Sequence, residues 1–209
     1  MLRVGLTGSI GVGKTFVSGV FAELGCRVLD ADQTAREVVA PNSSALGEVV
    51  TSFGRAVLQA DGSLDRSALG TIVFADPDKR ATLNAILHPH IIAAQDAQLK
   101  EWQTKDPDGI AIVDAALMIE SGGYKRFDKL IVVHCDEEIQ LQRLMARNNL
   151  SREEAASRIA TQMPQTEKMK SADYLIDTTD GFEAARLQTA AVYEELRRVA
   201  TAEPGSSDR

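Results

Sequence analysis

The residues best suited to chemistry stand near the start of the chain, where Gly8, Ser9, Ile10, Gly11, Val12, Gly13, Lys14 and Thr15 read G-S-I-G-V-G-K-T. This is the spacing G-x-x-x-x-G-K-[ST] of a phosphate-binding loop. In such a loop the glycines let backbone N–H groups turn inward around the α- and β-phosphates of a nucleoside triphosphate. The lysine ammonium reaches the β- and γ-oxygens, and the final hydroxyl ligates Mg²⁺. Phosphoryl transfer asks a protein mainly for position and charge. The parts still to be found are therefore an acceptor-orienting carboxylate, a metal site and cations able to close on the γ-phosphate.

The stretch V-L-D-A-D puts Asp30 and Asp32 just after a short apolar run, at the edge where ligands of open α/β sheets bind. Either carboxylate fits as acceptor of a hydroxyl proton or as a water-mediated Mg²⁺ ligand. The alternative for Asp32 is a cap on a helix starting near Gln33. Asp114 ends a second apolar run, I-A-I-V-D, and suits either a metal site or the orientation of a neighbouring turn. Arg143 and Arg147, four residues apart, share one helix face, either to supply charge to the transferring group or to stand in solvent. His88 precedes Pro89, which marks a helix start at least as well as it marks chemistry. His88, His90 and His134 with Cys26 and Cys135 show no zinc-ligand spacing.

These groups need a scaffold that brings strand ends together. Short β-branched runs at residues 4–6, 28–29, 110–113, 130–133 and 174–176 alternate with helical patterns. That predicts an α/β fold of three layers, α/β/α, around a parallel sheet of about five strands. The first run leads into the phosphate loop, and residues 14–24 carry helical apolar spacing, so the motif sits in the strand–loop–helix setting it requires. Residues 33–107 contain helical signals and no convincing strand, as expected of a helical insertion that binds an acceptor. Within it, Asp76 before Pro77 reads as N-cap and first helical residue, and a second helix is expected to restart at His88–Pro89. Further on, Asp136 should cap a helix with Glu137 and Glu138 in its first turn. Ser151 with Glu154 forms a capping-box pattern for a helix to about residue 162, and Asp180 with Glu183 a similar one for a last helix to about residue 200. Residues 201–209 are small, polar and expected to be disordered.

At 209 residues the chain has room for one substantial domain, and its 44% hydrophobic and 25% charged residues are ordinary for a globular protein. A net charge of −7 argues against a nucleic-acid partner. No segment approaches the roughly 18 apolar residues of a membrane span, and no signal-peptide pattern opens the chain, so a cytoplasmic protein without a membrane partner is expected. Cys26 and Cys135 read as reduced packing thiols. The oligomeric state stays open, a monomer being compatible with the sequence.

Taken in order, G-L-T-G-S-I-G-V-G-K-T, V-L-D-A-D-Q-T-A-R, L-H-P-H-I, V-D-A-A-L-M-I-E, R-L-M-A-R-N-N-L-S-R-E-E-A-A-S-R-I-A-T-Q and A-D-Y-L-I-D resemble the dephospho-CoA kinase family over residues 2–196. The resemblance implies ATP-dependent phosphorylation of the ribose 3′-hydroxyl of dephospho-CoA, the last step of coenzyme A synthesis. It implies a phosphate-loop kinase core (about 1–32, 108–146 and 172–200), a helical CoA-binding region (about 33–107) and a lid (about 147–171). By position it implies Lys14, Asp32 and Arg147 as catalytic, with Asp32 facing the acceptor hydroxyl. Arg143 and Arg147 join the loop in binding nucleotide, and Arg36, His88 and Asp114 join Asp32 in binding the acceptor. Thr15 would ligate Mg²⁺, with Asp32 or Asp114 acting through water. Two positions depart from the family pattern. Ala116 replaces a proline in D-x-P-L-L-[FY]-E, which is expected to loosen that turn, and Thr178 replaces an asparagine at a proposed adenine contact.

Competing readings are another phosphate-loop small-molecule kinase such as a nucleoside monophosphate kinase, a GTPase switch, and a scaffold with a vestigial loop. The guanine-reading N-K-x-D motif is absent, and Asp106 to Gly109, the early match to D-x-x-G, reads as a simple turn before a strand. Intact Lys14, Thr15, Asp32 and Arg147 argue against a vestigial loop.

Overall fold

All five β-branched runs form strands: β1 (Leu2–Thr7), β2 (Arg27–Asp30), β3 (Ile110–Asp114), β4 (Lys129–His134) and β5 (Tyr174–Asp177). They make one parallel sheet in the order β2-β3-β1-β4-β5. The structure, a computed structural model, describes residues 1–202. The register pairs Leu6 of β1 with Asp114 of β3 and with Ile131 of β4. The end of β1, where the phosphate loop begins, thus lies beside the end of β3, while β4 on its other side runs on to His134. Each central strand is apolar on both faces, as a sheet covered by helices on both sides requires. Val4, Leu6, Ile112, Ile131, Val133 and Ile176 are fully buried together with Val17 and Phe21 of helix α1 (Lys14–Glu23) and Leu196 of the last helix. Full burial of a side chain such as Phe21 contributes roughly 1.5–3 kcal/mol.

The chain divides into two compact units. The first comprises Met1–Leu29 and the chain from Trp102 onward, and holds the sheet. The second, Asp30–Glu101, is built of α2 (Ala31–Glu37), α3 (Ser44–Phe53), α4 (Arg66–Phe74) and most of α5 (Pro77–Lys105). It has an apolar core of its own around Val39, Leu46, Val49, Val57 and Leu69. The first unit is completed by α6 (Glu137–Asn148), α7 (Arg152–Ala160), the short α8 (Gln165–Met169) and α9 (Phe182–Thr201).

Several caps form as the sequence predicts. Asp76 accepts from the N–H groups of Asp78 and Lys79 at the start of α5, Asp136 accepts from Glu138 N–H, and Ser151 with Glu154 closes a full capping box on α7. Four expectations need correction or lie elsewhere. Asp32 caps nothing: the helix starts two residues earlier than expected, and Asp30 is its N-cap, accepting from Asp32 and Gln33 N–H. No helix restarts at His88–Pro89, because α5 runs through Pro89. The proline forfeits one helical hydrogen bond there, and the flanking turns carry the helix across. Asp180 does not cap α9 either. The N-cap is Gly181, with no side-chain bond. The helix also continues to Thr201, while the expectation of a disordered tail falls, beyond residue 202, outside the described residues.

Candidate phosphoryl-transfer site

The loop from Gly8 to Thr15 joins β1 to α1. Gly8 packs so closely on β4 that a Cβ there would lie 2.6 Å from the Val133 carbonyl oxygen. Gly13 sits at φ 87°, ψ 16° as the N-cap of α1, a left-handed conformation that only glycine adopts without strain. The helix therefore starts with its unpaired N–H groups and its positive dipole end at the loop. Among the described residues, no acceptor meets the N–H groups of Gly11, Gly13, Lys14 or Thr15. The Ser9 hydroxyl is buried and likewise lacks a hydrogen-bond partner. Such a concentration of unsatisfied donors is what a phosphate chain would satisfy.

Lys14 Nζ forms an ion pair with Asp114 at the end of β3, bringing together two of the residues singled out in the sequence. Both are largely buried, so the pair holds the lysine stem beside the loop. Arg143 donates from Nη1 to Thr178 Oγ1 at 2.8 Å and from Nη2 to the Thr178 carbonyl at 2.7 Å. Its guanidinium also lies 5.4 Å from the centroid of the Phe182 ring. Thr178 Oγ1 in turn donates to the Val12 carbonyl at 2.7 Å, so Arg143 is coupled to the loop through one hydroxyl. Arg147, one turn further along α6, behaves differently: it is exposed, and its Nε donates to Asn148 Oδ1 at 3.0 Å. In the helical unit, Asp32 and Arg36 lie in α2 and His88 in α5, and all three are exposed.

A profile of the Dephospho-CoA kinase family matches residues 2–183. The chain belongs to the dephospho-CoA kinase family. It is 42% identical over 194 residues to a dephospho-CoA kinase of Geobacillus kaustophilus, covering 93% of this chain and 96% of that one. Among solved structures, dephospho-CoA kinase from Campylobacter jejuni superposes with a TM-score of 0.72 at 29% identity, covering 94% of this chain and 98% of that one. Shikimate kinase from Acinetobacter baumannii, at 17% identity, TM-score 0.50 and coverage of 97% and 96%, shares the fold.

Neither departure from the family pattern leaves a gap. The Ala116 carbonyl is held by Thr7 Oγ1 at 3.1 Å and by Lys168 Nζ at 2.9 Å. Lys168 is fully buried and pairs with Glu120 at 2.8 Å. The turn after β3 is thus pinned through its carbonyl in the absence of proline. Thr178, expected only as a doubtful adenine contact, is a buried junction between Val12 and Arg143. Sequence reasoning also missed Gln140, Gln162 and Gln165, which surround the loop tip. Gln162 stands inside the stretch quoted for the family resemblance, but a lone glutamine carries no local signal of the contact it makes.

A cavity of about 510 Å³ opens between α6 and the chain from α7 to α8, lined by Ser9, Glu138, Leu141, Arg152, Ile159 and Met163 among others. Of these lining residues, Arg152 grips Glu138 through two hydrogen bonds of 2.9 and 2.7 Å. These bonds hold the exposed Glu138 carboxyl down at about 2.

Proposed function

We propose that the protein transfers the γ-phosphoryl group of ATP to the ribose 3′-hydroxyl of dephospho-CoA, giving coenzyme A and ADP at the last step of coenzyme A synthesis. The observation that carries this reading is the set of unsatisfied N–H donors between Gly11 and Thr15, beside a lysine held on Asp114, in a chain of this family. Lys14 stabilises charge on the β- and γ-oxygens, and residues 8–15 cradle the phosphates through backbone N–H groups. Asp32 accepts the proton of the acceptor hydroxyl. That role is compatible with its freedom from capping, which Asp30 performs. Arg36, His88 and Asp114 serve the acceptor side. Arg143 and Arg147 serve the nucleotide, with Arg147 closing from a lid of about residues 147–171. The Thr15 hydroxyl, with Asp32 or Asp114 through water, would hold Mg²⁺, which supplies neutralisation of the triphosphate charge. The cytoplasm is the compartment this reading assigns, and two buried free thiols, Cys26 and Cys135, fit such a reducing compartment.

The test is an acceptor panel with Mg-ATP, with products identified by mass and phosphate position. Dephospho-CoA should far exceed adenosine and AMP in turnover as well as apparent affinity, since binding energy from the pantetheine and diphosphate helps align the 3′-hydroxyl. A better rate with AMP, CMP or UMP, or a new phosphate anywhere but the ribose 3′ position, would overturn the reading in favour of a nucleoside monophosphate kinase.

A further inference from the structure

We propose that Gln140 and Thr178 are positioning residues that lock two peptide planes of the phosphate loop, and so aim the Gly11 and Gly13 N–H groups at the triphosphate. The inference rests on the reading of residues 8–15 as the triphosphate cradle and adds what keeps that cradle in shape.

The geometry begins with peptide planarity. In a trans peptide the carbonyl of one residue and the N–H of the next point in opposite directions. Fixing the Ile10 carbonyl therefore fixes the direction of Gly11 N–H, and fixing the Val12 carbonyl fixes that of Gly13 N–H. Both carbonyls are held. Gln140 Nε2 donates to Ile10 O at 2.7 Å, and Thr178 Oγ1 donates to Val12 O at 2.7 Å. The two N–H groups opposite them are among those with no acceptor among the described residues. Peptides flanked by glycine rotate at little steric cost, and each rotation would replace a donor in the cradle with a carbonyl that repels phosphate. A loop of this composition needs an external hold.

The hold is itself determined at both ends. Gln165 Oε1 accepts from Cys135 N–H at 3.1 Å, which commits its Nε2 to donate to Gln140 Oε1 at 2.8 Å. Gln140 is thereby left with only its amide nitrogen for Ile10. A donor-only backbone group at one end and an acceptor-only group at the other thus orient both side-chain amides. Gln162 Oε1 accepts from Ile10 N–H at 2.7 Å, so both backbone polar groups of Ile10 are taken up by glutamines. The Ile10 side chain packs into the apolar cluster of Leu141, Leu144 and Ala155 between α6 and α7. The Gln140 backbone carbonyl lies where a Cβ on Gly11 would be 3.1 Å away. On the other side, Arg143 Nη1 donates to Thr178 Oγ1, which leaves the threonine proton for Val12.

The experiment pairs isosteric losses with a conservative rescue. Thr178→Val and Gln140→Met keep shape and remove the bond, while Thr178→Ser keeps the hydroxyl. Each of the first two should raise the dissociation constant for ATP about tenfold, the worth of one well-placed hydrogen bond. The KM for dephospho-CoA should stay unchanged in the folded fraction, and Thr178→Ser should return ATP affinity to within about threefold of the parent. Relaxation dispersion should show new microsecond-to-millisecond exchange at the Gly13 amide in Thr178→Val and at the Gly11 amide in Gln140→Met. A purely structural role would lower thermal stability and leave the ATP affinity of folded protein untouched. Unchanged ATP affinity in folded Gln140→Met, or a Thr178→Ser protein as impaired as Thr178→Val, would overturn the proposal. Should Thr178→Val not fold, Gln140→Met decides the question through the other peptide. Lys14→Ala run alongside separates the two levels. Normal ATP turnover in Lys14→Ala would sink the cradle reading itself, whereas an inactive Lys14→Ala beside fully ATP-competent Thr178→Val and Gln140→Met would sink only the peptide lock.

Discussion

The phosphate loop and the helical unit hold their candidate chemical groups in opposite ways. Around the loop, Lys14 is held by Asp114, Arg143 by Thr178, and the Ile10 and Val12 carbonyls by Gln140 and Thr178, all in largely buried surroundings. In the helical unit, Asp32, Arg36 and His88 stand on exposed helix surface. A triphosphate is a compact, rigidly charged target that rewards donors fixed beforehand, because no reorganisation is needed when it binds. A long, flexible acceptor rewards side chains that can adjust to it, and those pay their ordering entropy when it arrives. The contrast predicts that damage at the loop falls on nucleotide binding and chemistry together, while damage in the helical unit leaves nucleotide binding intact.

The largest effect is expected at Lys14. Lys14→Ala should lower turnover by roughly 10²-fold or more, the scale for one preorganised electrostatic donor, and steady-state kinetics on protein shown to be folded checks it. Near-normal turnover would place the loop outside the chemistry and break the contrast at its stronger end.

Asp32 tests the other end. Asp32→Asn should lose most activity, keep ATP affinity and keep its melting temperature, because the cap of α2 belongs to Asp30. Asp30→Ala should cost about 0.5–2 kcal/mol in denaturant unfolding through loss of that cap. If Asp32→Asn weakens ATP binding as much as it weakens turnover, the two ends are not separate in function.

The arginines sharpen the comparison within one helix, since Arg143 is anchored and Arg147 is not. Arg147→Ala should reduce turnover on the order of tenfold with little change in ATP affinity, as a contact made mainly in the transition state would. A loss of ATP affinity with turnover at saturation preserved would make Arg147 a uniform binder instead.

The smallest effect is at Glu138, whose carboxyl is held at about 2 by its hydrogen bonds from Arg152 and Gln142. A folded value below the unfolded one stabilises above the ordinary carboxylate range. That contribution is lost as pH falls from about 4.5 toward 2. Glu138→Gln should lower the melting temperature slightly at neutral pH, converge with the parent as pH falls through this window, and so flatten the acid limb. Added salt should shrink the difference, because the pair is exposed to solvent. An unchanged acid limb would show that the grip of α7 on α6 does not depend on this pair.

The sequence by itself determined the five strands, the strand–loop–helix that carries Lys14 and Thr15, and the caps at Asp76, Asp136 and Ser151. Each depends on residues within a few positions of one another, where alternation, capping geometry and glycine's freedom at positive φ act locally. The same local rules left Asp32 open as a cap of α2 and restarted a helix at Pro89, and the structure bears out neither. A neighbouring aspartate satisfies the same N–H groups, and a long helix survives one missing bond. What only the tertiary structure decided is the hold on the loop from outside: Gln140 on Ile10, Gln162 on the same residue and Thr178 on Val12, across 130, 152 and 166 positions of chain. The buried Lys168 beneath the turn after β3 is of the same kind. A glutamine or threonine has no pattern that announces such a partner, because the bond exists only once the sheet has brought the loop, α6 and the end of β5 together.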